Sequence, residues 1–137
     1  MRKYIFIGLG GFLGAISRVA IKSLNIFGNN QLIPFDTILI NVLGSFIIAF
    51  FLTITLAIFT IDTDIKTGIS VGFLGSFTTF STFTKEAMLL LVNHHLIESF
   101  IYIVTSILLG LFFAFLGYYL AFRAQGINYR KKEKDNI

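Results

Sequence analysis

The run Thr78-Thr79-Phe80-Ser81-Thr82-Phe83-Thr84 puts five hydroxyls and two benzyl rings into seven consecutive positions of an otherwise apolar stretch. An unsatisfied polar group in hydrocarbon costs several kcal/mol, on the order of 4–8 in the harshest reference solvent, so such a run makes a poor lipid-facing surface. Gly68, Gly72 and Gly75 lead into it, and glycine and threonine are both weak helix formers. Backbone of this kind persists at membrane depth only where it is buried in protein or lines a wet path. The pattern predicts the lining of a passage for something small and polar.

Other positions could serve the same passage. Thr37, Asn41, Gly44 and Ser45 fall on one helical face. Asn41 is expensive in lipid; it either makes an interhelical hydrogen bond or offers its two N–H donors to a passing anion. Tyr102, Ser106, Gly110 and Ala114 recur every four residues, two hydroxyls followed by two small side chains. Phe80 and Phe83, three apart, are neighbours on a helix. Their ring edges carry partial positive charge and can face an anion without trapping it as Lys would. Arg18 interrupts an apolar run, where it either snorkels, forms an ion pair or builds a positive vestibule. Glu86, four residues beyond Thr82, is either its partner from another helix or the mouth of a pore.

Catalysis finds no support. There is no cysteine, and His94 and His95 stand together in a turn, where adjacent residues make a poor metal pair. No nucleophile has a base at a useful spacing, so an enzyme is not expected.

The elements that must position these groups follow from hydropathy. With 55% hydrophobic residues, 13% charged and a mean hydropathy of +0.84, the 137 residues read as a one-domain, multi-pass protein of the cell membrane. A bilayer core of about 30 Å needs roughly 20 apolar residues per helix. Four stretches qualify, near 4–24, 37–61, 65–92 and 96–122, which predicts an all-α membrane protein of four transmembrane helices. The connections are short, at 25–35, 62–64 and 93–95, and Pro34 stands just before the second helix. The first stretch carries glycines and an arginine and no small-residue cleavage site, so it reads as a retained helix.

Four spans place both termini on one side. That side holds Arg2, Lys3, Lys66, Arg123 and the four basic residues of the tail, against Arg18, Lys22 and Lys85 on the other, favouring cytoplasmic termini. Without the distal tail the bias is only four against three. The segment Arg123 to Lys134 holds five of eleven basic residues and accounts for most of the formal charge of +4. We therefore divide the chain into a transmembrane domain, 1–124, and a basic polar tail, 125–137. Nucleic-acid binding would need a folded basic face, which the pattern lacks. Four helices are thin walls for a pathway, and polar positions on several of them argue for an oligomer. Gly10-x-x-x-Gly14 and Gly68-x-x-x-Gly72 suit close helix contacts, either within a subunit or between subunits.

Three blocks then carry a family resemblance. Gly11-Phe-Leu-Gly14-Ala15-Ile-Ser-Arg18, Asn41-Val-Leu-Gly44-Ser45-Phe46 and Gly72-Phe-Leu-Gly75-Ser-Phe-Thr78-Thr79-Phe80-Ser81-Thr82-Phe83 resemble, in order, the signature blocks of the Fluc (CrcB) fluoride channels. The resemblance implies export of cytoplasmic fluoride down its electrochemical gradient, which reduces fluoride toxicity. It implies an antiparallel, dual-topology dimer with two pores at the interface and a third helix broken at its centre. It further implies a structural Na⁺ held by the backbone carbonyls of Gly75 and Thr78 from both subunits. By the same resemblance Phe80 and Phe83 form aromatic boxes, Asn41 donates to the ion, and Tyr102 and Ser106 continue a polar track, with Thr79 and Thr82 beside them. Glu86 matches an acidic position after the Phe pair.

The bottom-up chemistry agrees: a small, strongly hydrated anion needs donors without full charge, and a narrow bore rejects chloride by size. Two departures stand out. Gly110 and Ala114 occupy places where family members often carry hydroxyls, and the basic tail is unusual for a chain that inserts both ways. Some members work as oppositely oriented pairs, so the partner is either a second copy or a homologous subunit. The alternative, a small multidrug-type cation/proton antiporter, wants a buried carboxylate in the first helix, where this chain has Arg18 and no acid.

Overall fold

The computed structural model describes residues 1–28, 31–57 and 61–135, excluding the side chains of residues 57 and 125–135. Among the described residues all regular structure is helical. Helix α1 spans Arg2–Ser23 and α2 spans Phe35–Ala57. A composite third rod follows: α3 Thr63–Thr67, a π-helical stretch Gly68–Leu74, α4 Gly75–Phe77 and α5 Phe80–Val92. Helix α6 runs Leu96–Asp135.

Three elements, Arg2–Ser23, Phe35–Leu56 and Leu96–Ala124, are long and apolar enough to cross a bilayer unbroken. The third rod is interrupted at Thr78–Thr79, and the 13 residues of α5 reach only about 20 Å. The expected fourth span, 96–122, is the apolar part of a longer helix. Its helix continues without a break through position 124 to Asp135, into a tail whose three Lys, one Arg and one Glu are good helix formers once a helix exists.

Local chemistry fixes the ends. The Asp62 side chain accepts the Asp64 N–H at 2.8 Å and starts α3. At the other end of the rod His94 adopts φ 63°, while the N–H groups of His95 and His94 return to the carbonyls of Leu90 and Leu91 at 2.9 and 3.1 Å. This pattern satisfies the last carbonyls of α5 and reverses the chain into α6.

Packing runs in two pairs joined by the broken rod. Helix α2 lies along α6, and α1 lies along the π-helical stretch and α4. After the break α5 packs against α6 instead. The interruption therefore lets one rod serve both pairs. Both GxxxG motifs are spent inside the chain, against each other. A Cβ on Gly72 would stand 2.6 Å from the Ile7 carbonyl oxygen, and one on Gly68 would stand 2.8 Å from Phe6 Cβ. Bare backbones thus touch where α1 crosses the rod. On the other pair, a Cβ on Gly117 would strike the Phe46 carbonyl. The core is small: Ile38, Val42, Ala87, Leu90 and Tyr102, flanked by Ile33, Phe83, Ile103 and Phe113. Large apolar side chains such as Phe12, Phe100, Leu108 and Phe112 point outward, as lipid-facing residues do.

The backbone contact makes a prediction. Gly72→Ala forces α1 away from the rod and lowers stability by about 1–3 kcal/mol, as overpacking does. Gly8→Ala, whose Cβ meets nothing within 4 Å, does not destabilise and raises stability by up to about 1 kcal/mol, since alanine is the better helix former. Unfolding in mild detergent measures both.

Candidate functional site

Two neighbouring threonines make the break, each with its own task. Thr78 closes the first half: its N–H and its Oγ1 both donate to the Leu74 carbonyl, at 3.0 and 2.8 Å. Thr79 opens the second: its Oγ1 accepts the Thr82 N–H at 3.2 Å and donates to Thr82 Oγ1 at 2.9 Å. Both are in extended conformation, with ψ 156° at Thr78 and φ −146° at Thr79. Hydroxyl oxygens that favour caps over helix interiors are what the sequence supplies here.

Asn41 on α2 holds the break open. The Thr79 N–H donates to Asn41 Oδ1 at 2.8 Å, and Asn41 Nδ2 donates to the Thr79 carbonyl at 3.2 Å. In an unbroken helix that N–H would donate to the Gly75 carbonyl. The side-chain amide has replaced a peptide group, and the Gly75 carbonyl is left without its helical donor. One turn along α2, the missing Cβ of Gly44 makes room for the Thr78 methyl. Of the two readings of Asn41, the interhelical bond is present and uses one of its two N–H groups.

Around the break lies an open cleft of about 300 Å³, lined by residues that include Asn41, Ser45, Gly75, Thr78, Thr79 and Phe80. Gly75 has nothing within 4 Å of where a Cβ would be, and Phe80 is 80% exposed. From the cleft a row of rings leads along α5. Phe80 and Phe83 are 6.0 Å apart between centroids, and Phe83 and Tyr102 are 5.2 Å apart.

That row ends at Glu86. Its Oε1 accepts from Lys22 Nζ at 3.0 Å and Thr37 Oγ1 at 3.1 Å, and its Oε2 accepts from the Tyr102 hydroxyl at 2.9 Å. Thr37 and Tyr102 are fully buried. Four elements meet on one carboxylate. The cationic partner is Lys22, one turn beyond Arg18. Of the two roles considered for Glu86, an ion pair across helices is present, with a different cation. Two chambers flank it, of about 240 and 290 Å³: Lys22, Asp36 and Thr37 help line one, Asn93 and His95 the other. Ser106 Oγ donates to the Tyr102 carbonyl at 2.6 Å, the usual resting bond of a helical serine.

The structure therefore brings Asn41, Thr78, Thr79, Thr82 and Phe80 together at the break, and Phe83, Tyr102 and Glu86 beside it. Sequence reasoning counted Lys22 only among the basic residues on one side of the membrane and gave Thr37 no partner. The clue was the four-residue spacing of Thr82–Glu86 and Thr37–Asn41, which puts each pair on one face. What the spacing lacked was the crossing angle that brings α1 to them.

Comparison with known proteins bears on this arrangement. Residues 5–118 match the family model described as CrcB-like protein, Camphor Resistance (CrcB). The chain is 38% identical over 129 residues, 93% of each chain, to "Fluoride-specific ion channel FluC 2" of Carboxydothermus hydrogenoformans. It is 39% identical over 115 residues to "Fluoride-specific ion channel FluC 1" of Staphylococcus epidermidis strain RP62A, covering 84% of this chain and 93% of that one. A Bacillus cereus ZK relative, also "Fluoride-specific ion channel FluC 1", is 41% identical over 123 residues, 88% and 89% of the two chains.

The Asn41 bonds yield a test. Asn41→Ala leaves the Thr79 N–H and carbonyl unpaired in a part-buried place, which costs about 2–4 kcal/mol. Unfolding in detergent shows the loss, and amide exchange at Thr79 becomes faster.

Proposed function

We propose that this chain, which belongs to the CrcB-like family, is a fluoride-selective channel of the cell membrane that lets cytoplasmic fluoride leave down its electrochemical gradient. The observation that carries the reading, beside the family, is the cleft at Thr78–Thr79. There amide, hydroxyl and ring-edge groups converge on one opening without a cation among them. Fluoride gives up its hydration shell only where donors replace it, and leaves only where no full positive charge holds it. The second N–H of Asn41, the Thr82 hydroxyl hydrogen and the edges of Phe80 and Phe83 are such donors. In water-excluded surroundings they act with little screening. Beyond the rings, Tyr102 and Ser106 offer hydroxyls that must leave Glu86 and the Tyr102 carbonyl to turn toward an ion.

The assembly we propose is a dimer of antiparallel subunits meeting across the cleft, either two copies of this chain or this chain with a homologous partner. Its support is that the cleft is open in one subunit: Gly75 and Phe80 face outward with nothing of their own chain over them. A structural Na⁺ fits the backbone of the break at Gly75 and Thr78, apart from the rings of Phe80 and Phe83 that border the fluoride route. The Gly75 carbonyl lacks its helical donor because Asn41 has taken the Thr79 N–H, and the extended Thr78 turns its own carbonyl out of the helical ladder. Peptide oxygens suit a hard monovalent cation. Gly75 and Thr78 would hold it and Na⁺ would supply positive charge at the meeting of two sets of carbonyl dipoles.

Two measurements test these readings. Liposomes reconstituted with the purified chain release fluoride and retain chloride. Phe80→Ile and Asn41→Asp each slow release by at least about tenfold, the equivalent of 1.4 kcal/mol of barrier. Normal efflux from both variants removes these side chains from the pathway, and efflux from this chain alone selects the homodimer over the pair. Second, Gly75→Leu has space within its own subunit, so the subunit folds while the assembly falls to half its mass by light scattering in detergent. An unchanged mass places the contact elsewhere.

A further inference from the structure

Glu86 is a carboxylate with 19% of its side chain exposed, and it lies about 10 Å along α5 from the break. A bare negative charge there repels the anion that the cleft is built to pass. Two of its three partners, Thr37 and Tyr102, are neutral hydroxyls. The third, Lys22, reaches it at 3.0 Å with 36% of its side chain exposed. The chamber of about 240 Å³ beside this pair carries Asp36 and Glu86 as acids, and Lys22 is the one cation among its lining residues. Asp36 stands in the first turn of α2, where the helix N-terminus offsets its charge. Glu86 has Lys22. In the second chamber the titratable side chain facing Glu86 is His95, itself 3.7 Å from Glu98.

We propose that Lys22 is a positioning residue of this channel: it neutralises Glu86 at the mouth, and the pair presents hydrogen-bond donors without net charge to fluoride. The pairing works in both directions. A free carboxylate turns the anion away, and a free ammonium holds it. Lys22 uses one of three N–H donors on Glu86, which leaves two directed elsewhere. The inference rests on the fluoride-channel reading and adds a residue to it.

The test uses initial fluoride efflux from liposomes at matched protein content, with wild type, Lys22→Gln, Lys22→Arg and the Lys22→Gln/Glu86→Gln double variant. Lys22→Gln is expected to conduct about tenfold more slowly, the scale of one uncompensated charge within several ångströms of the path. Lys22→Arg keeps the charge and most of the rate. The double variant removes both charges and returns to within about threefold of wild type, a coupling that independent damage does not produce. Raising the concentration of an impermeant salt narrows the Lys22→Gln deficit, because screening acts on charge and not on a packing defect. A wild-type rate in Lys22→Gln overturns the proposal. So does a slow Lys22→Gln that neither the second substitution nor salt relieves. A wild type that releases no fluoride overturns the channel reading itself, and this one with it.

Discussion

Asn41 gives its side-chain amide to the backbone of Thr79, donor to carbonyl and acceptor to N–H, and by doing so stands in for a peptide group that the helix would otherwise supply. Hydrocarbon does not tolerate an unpaired peptide, so a break at membrane depth needs such a substitute. With it, the rod can stop and restart within two residues. Without it, the Thr79 N–H and carbonyl stand unpaired at the break. The redirection of α5 from α1 to α6, the exposure of Phe80 and the freeing of the Gly75 carbonyl all descend from that exchange.

The hydroxyls around the break show a consistent economy. Thr78 and Thr84 return to carbonyls of the preceding turn, and Ser106 does the same on α6. Thr79 caps the next helix and donates its hydroxyl hydrogen bond to Thr82. Each has a resting partner, so none is a bare polar group in lipid. Glu86 works on the opposite principle. It gathers α1, α2 and α6 onto α5 by charge-assisted bonds and fixes the end of the ring row against the protein's small core.

Close backbone packing completes the frame. The crossing of α1 over the Gly68–Leu74 stretch has no side-chain layer between its helices, since Gly10, Gly14, Gly68 and Gly72 put bare backbone in contact. In a bilayer, where burial of apolar side chains contributes little between helices, such contact is what holds them together. The outward face is left to lipid and, around Gly75 and Phe80, remains open within the chain.

Much of this was legible in the residues. Composition and run lengths gave a multi-pass helical membrane protein; the clustered hydroxyls between Thr78 and Thr84 marked a stretch unfit for lipid, and the family resemblance implied the break, which falls at its first two residues. Spacing put Asn41 and Gly44 on one face, and the family blocks joined that face to the run. Tertiary structure decided the partners. That Asn41 clamps Thr79, that Lys22 and not Arg18 meets Glu86, and that both glycine motifs are spent within one chain depend on crossing angles and on which turn of one helix lies opposite which turn of another. Periodicity fixes the face a residue occupies on its own helix. It carries no information on the depth at which a second helix crosses, since that is set by where bare backbones can approach, and only the folded chain brings those positions together.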